Sequence, residues 1–314
     1  MKCVIAIPTY NRSQQVLRAA KAALDQHCND IAVAVIDDGS SDNTKACLEP
    51  LFDDARFSYI KLARNVGTAK AKNVALALLR FDAITFHDSD DVPDPTKVLR
   101  QRQILELQTV EANACLNWAL AGREPSSRID VGIVLTQHAL ITGSGQRFEV
   151  KRALSLVDDF FPQLQMNSGP PGDWILINSG LFRRSVFSRV GGFADCIEED
   201  RELRNRLIVA GEVFWLIDDI LLTKIDSPDS LTNQGSTGYV SARRERERQV
   251  VWQKVSAWLA DRLVPVEPID LSGVEIASVS RHAKLRLADD IPILEGSFVG
   301  FEALPHQPLT VRVA

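Results

Sequence analysis

The stretch Ala83-Ile84-Thr85-Phe86-His87-Asp88-Ser89-Asp90-Asp91-Val92-Pro93 decides the fold: an apolar run stops abruptly at three carboxylates. A short apolar run that ends in Asp-Ser-Asp-Asp and then Pro predicts a buried parallel strand whose carboxyl end opens into a polar loop. In open α/β sheets that end is where ligands bind. Carboxylates this close raise one another's pKa, so the arrangement is costly unless a cation neutralises them. Such oxygen ligands suit a hard divalent ion, Mg²⁺ or Mn²⁺, which takes one or two carboxylates together with phosphate oxygens of a substrate. The alternative reading is a solvated acidic turn continued by Asp94 and Pro95.

Toward the N-terminus the same unit repeats. Lys2-Cys3-Val4-Ile5-Ala6-Ile7-Pro8 reads as a strand broken at Pro8, followed by the loop Thr9-Tyr10-Asn11-Arg12-Ser13. A helix is expected from about Gln14 to Asp25 with Ser13 as its N-cap. Ile31-Ala32-Val33-Ala34-Val35-Ile36 is the next strand, ending in Asp37-Asp38-Gly39-Ser40-Ser41-Asp42-Asn43-Thr44 before a helix from Lys45 to Leu51. After the strand Phe57–Leu62, the segment Asn65-Val66-Gly67-Thr68-Ala69-Lys70-Ala71-Lys72-Asn73 opens an Ala/Leu-rich helix to about Arg80. Strands alternating with helices at this spacing predict a Rossmann-like, mostly parallel α/β sheet with helices on both faces.

Composition narrows the function classes. At 314 residues, 45% hydrophobic and 25% charged, the chain can bury a large core. A net charge of -5 argues against a general nucleic-acid binder. The basic run Arg243-Arg244-Glu245-Arg246-Glu247-Arg248 alternates with acids and reads as a solvated helix face. Five cysteines without C-x-x-C spacing point to a reducing compartment and no zinc site. No apolar stretch reaches the roughly 18 residues that a spanning helix needs. The expectation is a cytoplasmic protein, with peripheral attachment at the inner face of a membrane left open.

Each strand end carries polar residues that converge on one rim of the sheet. Thr9 can donate and accept hydrogen bonds, and Asp37 or Asp38 can accept from the N–H of a base or from ribose hydroxyls. The same aspartates also suit a turn and an N-cap. Lys70 and Lys72 lie near the amino end of a helix, where the dipole and free N–H groups favour a phosphate, although surface lysines are commonly only solvated. Gly67 would permit a tight turn.

Taken in order, Ile5-Ala6-Ile7-Pro8-Thr9-Tyr10-Asn11-Arg12, Val35-Ile36-Asp37-Asp38-Gly39-Ser40-Ser41-Asp42-Asn43-Thr44, Asn65-Val66-Gly67 and Asp88-Ser89-Asp90-Asp91 strongly resemble family 2 glycosyltransferases of the GT-A fold. The resemblance implies an enzyme that takes a sugar from a nucleotide diphosphate donor, UDP favoured over GDP or dTDP, and inverts the anomeric centre. It implies Thr9 and Asp38 at the base, Asp88 near the ribose, and Asp90 on a Mn²⁺ or Mg²⁺ ion bridging the diphosphate. Pro8, Tyr10, Arg12, Asp37, Gly67, Lys70 and Ser89 complete the expected donor site. Residues 1–95 are then the nucleotide-binding half and 96–263 the acceptor-side half of one domain.

In the second half, Thr96 to about Leu120 reads as helix, and Val131–Thr136 with Ala139–Thr142 as strands in an insertion. Val190-Gly191-Gly192-Phe193 precedes Cys196-Ile197-Glu198-Glu199-Asp200, which resembles the acidic motif that opens a helix in the same family. An acceptor hydroxyl is a poor nucleophile near neutral pH, so inversion needs a carboxylate to take its proton. Asp200 matches the family's base and Glu199 is the alternate; helix-N-terminal acids that only stabilise the dipole are the competing reading. Trp174 suits an apolar sugar face or a structural core position, and Asn178 falls on the acceptor side.

Two departures from the family pattern stand out. Many relatives carry a late histidine ligand, which Lys224-Ile225-Asp226-Ser227-Pro228-Asp229-Ser230-Leu231-Thr232 lacks, leaving Asp226 as a substitute metal ligand. The Q-x-x-R-W signature and membrane helices of processive synthases are also missing, which favours single transfer to a carbohydrate or glycolipid acceptor. The competing class is a catalytically silent GT-A-like binding or scaffold protein. An amphipathic helix from Ser241 to about Leu263 is expected to pack on the domain, and residues 264–314 read as a small β-rich appendage.

Overall fold

The computed structural model describes residues 1–111, 124, 126–152, 176–227, 230, 233, 236–238, 240–261, 266–281 and 310–311. The first part alternates as expected: β1 (Cys3–Thr9), α1 (Ser13–Leu24), β2 (Ile31–Asp37), α2 (Thr44–Leu48), β3 (Phe57–Leu62), α3 (Thr68–Leu78) and β4 (Ala83–Phe86). The unbroken apolar runs have a structural reason. Cys3, Ile5 and Ile7 of β1 join Val16, Ala19 and Ala20 of α1 in one core, whereas Val4 and Ala6 join Val74 and Leu78 of α3 in the other. A strand covered on both faces has no solvated side on which to place polar residues. β1 pairs in parallel with β2 and β4, Cys3 lying opposite both Ile31 and Ala83, so the loops after all three strands leave the same edge of the sheet.

The chain continues through β5 (Val92–Pro93), α4 (Lys97–Leu107), β6 (Thr109–Glu111), β7 (Arg128–Asp130), β8 (Ile133–Ile141), β9 (Arg147–Val150), β10 (Leu181–Arg183), α5 (Arg184–Val190), α6 (Glu199–Val209), β11 (Phe214–Ile225), α7 (Ala242–Asp261), β12 (Glu275–Arg281) and β13 (Thr310–Val311). Among the described residues the main sheet runs β13-β12-β3-β2-β1-β4-β10-β8-β11-β5, with β9 paired to β8. β10 runs antiparallel to β4 and β8, and β11 runs parallel to β8. The short β5 pairs antiparallel with β11, Val92 opposite Thr223 and Pro93 opposite Leu222, which brings the end of β11 to the acidic loop.

Several sequence expectations change in detail. The helix after Pro95 stops at Leu107, because Gln108 turns extended and Thr109-Val110-Glu111 pairs with β7; residues 112–123 lie outside the described set. The strands read as an insertion are one strand, β8, in the main sheet between β10 and β11. Ser13 does not cap α1; Asp42 Oδ2 accepts from its backbone N–H at 3.2 Å, so the cap comes from the loop after β2. From the region read as an appendage, β12 pairs antiparallel with β3 and so joins the main sheet, whereas Leu285-Arg286-Leu287 lies outside the described residues. α7 packs as expected: Val251 and Val255 are buried, with Trp258 and Leu259 against the same core. No helix among the described residues is long and apolar enough to cross a membrane.

Candidate active site

The donor rim begins where β1 ends. Asn11 adopts a left-handed φ of 51°. It is held there because its N–H donates to Ser40 Oγ at 2.8 Å while its Oδ1 accepts from Ser41 N at 2.8 Å. The loops after β1 and β2 are thereby tied together. Pro8 and Thr9 are buried and Tyr10 is exposed. The Thr9 hydroxyl has no hydrogen-bond partner among the described residues.

The two aspartates after β2 are both engaged by protein groups. Asp37 accepts from Ser40 N at 2.7 Å and from the Tyr59 hydroxyl. Asp38 accepts from Val66 N at 2.7 Å and Gly67 N at 2.9 Å, which fastens the loop that opens α3. Burial pushes the Asp38 carboxyl up to about 6 even though both amides favour its charged form. Gly67 has φ 96° and ψ 157°, a conformation essentially reserved for glycine.

At the end of β4, Asp88, Asp90 and Asp91 each offer an oxygen within 4.8 Å of the others. Arg12 Nη1 donates to Asp90 Oδ2 at 2.8 Å, and Lys224 Nζ donates to Asp88 Oδ2 at 3.2 Å. Burial works to raise the Asp88 carboxyl, but Lys224, with Lys72 and Arg12 behind it, holds it below its ordinary range. Burial pushes Asp91 up to about 8, with Asp88 and Asp90 adding to the rise. Both Asp91 oxygens are buried without a hydrogen-bond partner among the described residues. Orphaned carboxyl oxygens beside two more carboxylates are what a hard divalent cation would satisfy, so the residues present fit Mg²⁺ or Mn²⁺. Ser89 is buried within this loop. Beneath it, Lys97 Nζ lies 3.2 Å from both Thr85 Oγ1 and His87 Nε2.

The second group of acids is placed by the Gly191-Gly192-Phe193 turn. Gly191 has φ 79°, and a Cβ there would sit 1.7 Å from Glu267 O; one on Gly192 would sit 2.4 Å from Asn73 Oδ1. Asn73 of α3 closes on the turn, accepting from Phe193 N at 2.8 Å and donating to Phe193 O at 2.9 Å. The fully buried Arg206 holds Gly192 O at 2.6 Å and Glu202 at 2.8 Å. α6 then begins at Glu199. Lys72 Nζ donates to Asp200 Oδ1 at 2.7 Å and to Glu199 Oε1 at 3.1 Å, while Asn178 Nδ2 donates to Asp200 Oδ2 at 2.8 Å. Burial pushes Glu199 up to about 7, with Asp200 adding to it and Lys72 opposing.

Thus Arg12, Asp88, Ser89, Asp90 and Asp91 come together at one place, and Glu199, Asp200 and Asn178 at another. Lys70 is engaged elsewhere: it donates to Ser272 O at 3.0 Å and lies 3.4 Å from Asp195 and from Asp270, tying α3 to the segment before β12. Asp226 is exposed and accepts from Asn233 Nδ2 at 2.6 Å, apart from the three-carboxylate group. Trp174 lies outside the described residues. Sequence reading did not single out Lys224, Asn73 or Lys97 for the site, and it gave Lys70 a place at the donor, whereas its partners here are Ser272, Asp195 and Asp270.

A largely parallel α/β sheet with a carboxylate triad at its strand ends defines a protein of the GT-A class. The family described as glycosyl transferase family 2 matches residues 4–122 of this chain. Chondroitin synthase of Escherichia coli is 37% identical over 95 residues, 30% of this chain and 14% of that protein. The uncharacterized glycosyltransferase YfnE of Bacillus subtilis is 34% identical over 91 residues, 29% of this chain and 23% of the relative. Succinoglycan biosynthesis protein ExoO of Rhizobium meliloti is 34% identical over 94 residues, 30% of this chain and 27% of the relative. The matched region is therefore a minor part of each of these proteins. Residues 1–349 of S. aureus TarS, solved with UDP-GlcNAc, share the fold with a TM-score of 0.56 at 16% identity, over 85% of this chain and 68% of that one.

Proposed function

We propose that this chain is an inverting, metal-dependent glycosyltransferase that moves one sugar from a nucleotide diphosphate donor to a hydroxyl of a carbohydrate or glycolipid acceptor. The observation that carries the reading is the pairing of the Asp88-Asp90-Asp91 triad with Arg12 and Lys224, which together suit a metal-bound diphosphate. When bound, Mn²⁺ or Mg²⁺ supplies charge that stabilises the departing diphosphate. Asp88, Asp90 and Asp91 would hold it, and Arg12 and Lys224 bring further positive charge to the same place. Pro8, Thr9, Tyr10 and Asp38 line the nucleoside end of the rim, and Asp37 supports it through Ser40 and Tyr59. The solved neighbour holds UDP-GlcNAc, which makes a UDP-sugar the first donor to test.

Asp200 takes the acceptor proton while the bond from the anomeric carbon to the diphosphate breaks and the bond to the acceptor oxygen forms. Lys72 and Asn178 occupy one oxygen each and fix the orientation of this carboxylate. Glu199 shares the Lys72 cation and is the alternate base. Relatives named for chondroitin and succinoglycan synthesis support a role in polysaccharide, lipopolysaccharide or other glycoconjugate synthesis. Five cysteines without paired spacing support a cytoplasmic site of action, peripheral to the inner membrane face where the acceptor is a lipid.

The test is hydrolysis and transfer with UDP-, GDP- and dTDP-sugars, with Mn²⁺ and with EDTA. Asp90→Asn should weaken Mn²⁺-dependent UDP binding tenfold or more, the scale of losing support for a metal site. Equal UDP affinity with EDTA and with Mn²⁺ would sink the metal reading. Nucleotide-sugar binding with no turnover of any donor would leave a binding protein.

A further inference from the structure

We propose that Lys72 is a positioning residue that orients Asp200, with Glu199 as the exchange partner on the same ammonium. This rests on the reading of Asp200 as the base. The geometry is specific. Lys72 Nζ lies 2.7 Å from Asp200 Oδ1, 3.1 Å from Glu199 Oε1 and 4.9 Å from the centre of the Phe193 ring. Its side chain is 1% exposed, so nothing in solvent competes for its three N–H donors.

Neither party is stable there without the other. An isolated buried lysine would give up its proton, and two carboxylates on adjoining residues of one buried helical turn would repel until one of them took a proton. Burial does work to lower Lys72, but Asp200 and then Glu199 outweigh it and keep it charged. Asp88, from the loop after β4, also acts on Lys72, which places the ammonium under the influence of both acidic groups. The other groups facing the pair are the neutral Asn178, the Cys196 thiol, which Glu199 helps to raise, and Glu202 on α6, which is committed to Arg206. Glu198 turns away, onto Arg244 and Arg201.

The consequence concerns one proton and one cation. At low pH Glu199 carries a proton and Lys72 is given wholly to Asp200. As pH rises, Glu199 ionises and claims a share of the ammonium. Asp200 is then less strongly held and becomes the better acceptor for a hydroxyl proton. Turnover should therefore climb as pH passes through about 7, the value to which burial raises Glu199. Lysine at this position is thus more than a structural filler.

The experiment follows Mn²⁺-dependent hydrolysis of UDP-N-acetylglucosamine against pH in the full chain, with UDP affinity measured in parallel by calorimetry. In this reaction water attacks the anomeric carbon, the bond to the diphosphate breaks with its electron pair leaving on UDP, and the water proton passes to Asp200. Lys72→Met removes the charge at nearly constant volume. It should move the ascending limb at least one unit to the alkaline side, lower turnover tenfold or more, and leave UDP affinity within about threefold. Lys72→Arg should bring the limb most of the way back. Glu199→Gln stays neutral at every pH and leaves the ammonium wholly to Asp200, so it should abolish the ascending limb and hold turnover near the parent's low-pH level, which keeps the test decisive if Lys72→Met does not fold. An inactive Asp200→Asn together with an unmoved limb in both charge variants overturns the role of Lys72 alone. Hydrolysis by Asp200→Asn within threefold of the parent overturns the base assignment and this proposal with it.

Discussion

Lys224 Nζ and Asp88 Oδ2 stand 3.2 Å apart although 136 positions separate them in the chain. The contact exists because β11, one residue before Lys224, pairs through Thr223 with Val92 of β5 at the exit of the acidic loop. Lys224 is held more basic than usual by Asp91, Asp88 and Asp90 against the effect of burial. In the proposed function it is a resident counter-charge of a site that takes both a divalent cation and a diphosphate.

Removing that charge should move two affinities in opposite directions. Lys224→Met leaves the triad more negative, so Mn²⁺ alone should bind several-fold tighter. With the ion in place, UDP loses one cation and should bind about tenfold more weakly, the scale of a charge-assisted hydrogen bond. Electron paramagnetic resonance of free Mn²⁺ and calorimetry with UDP read the two separately. Both affinities falling together would show that Lys224 only supports the local fold.

Gly191 and Gly67 offer a matched pair. Both sit in a region of backbone space essentially closed to other residues, at φ 79° and ψ -158° for Gly191 and φ 96° and ψ 157° for Gly67. Alanine at either should cost about 1–3 kcal/mol in strain. They differ in surroundings. A Cβ at Gly67 meets nothing within 4 Å, whereas one at Gly191 lands 1.7 Å from Glu267 O. That oxygen accepts from Gly192 N at 2.9 Å, so an added methyl displaces the segment that braces the turn before α6. Urea unfolding should show Gly191→Ala losing at least twice what Gly67→Ala loses. Equal losses would mean that Glu267 yields without cost.

The first 95 residues were legible because local pattern and tertiary role coincide there. An apolar run such as Ile31–Ile36 can only be a strand covered on both sides, and Asp88, Asp90 and Asp91 follow such a run directly. The Gly191-Gly192-Phe193 turn and the acids after it were legible through their resemblance to the family's acidic motif. What local pattern misses is register between distant strands, and that is what brings Lys224 to Asp88. Lys70 and Lys72 show the same limit on a smaller scale. They are two positions apart on one helix and chemically identical, yet one faces Ser272 and the other Asp200. Asp37 was readable as a turn residue or a nucleoside contact, and only the fold shows its carboxylate given to Ser40 and Tyr59.

The carboxyl of Asp38 makes stability depend on pH with a definite sign. Burial raises it from the ordinary 3.8 to about 6, against the pull of Val66 N–H and Gly67 N–H. Between those values the folded chain binds a proton that the unfolded chain has released, so stability falls as pH rises through the window. Asp38→Asn has no proton to lose and keeps a single acceptor oxygen for the two amides, one of which is left unpaired at about 1–3 kcal/mol. The variant should therefore be clearly less stable than the parent at about pH 4. The gap should close by on the order of 2–3 kcal/mol by about pH 7.5, where the parent has taken on its buried charge. Urea midpoints across that range measure the gap directly. A gap that holds constant or widens with pH would mean that the Asp38 carboxyl is already ionised at about pH 4, with the two amides prevailing over burial.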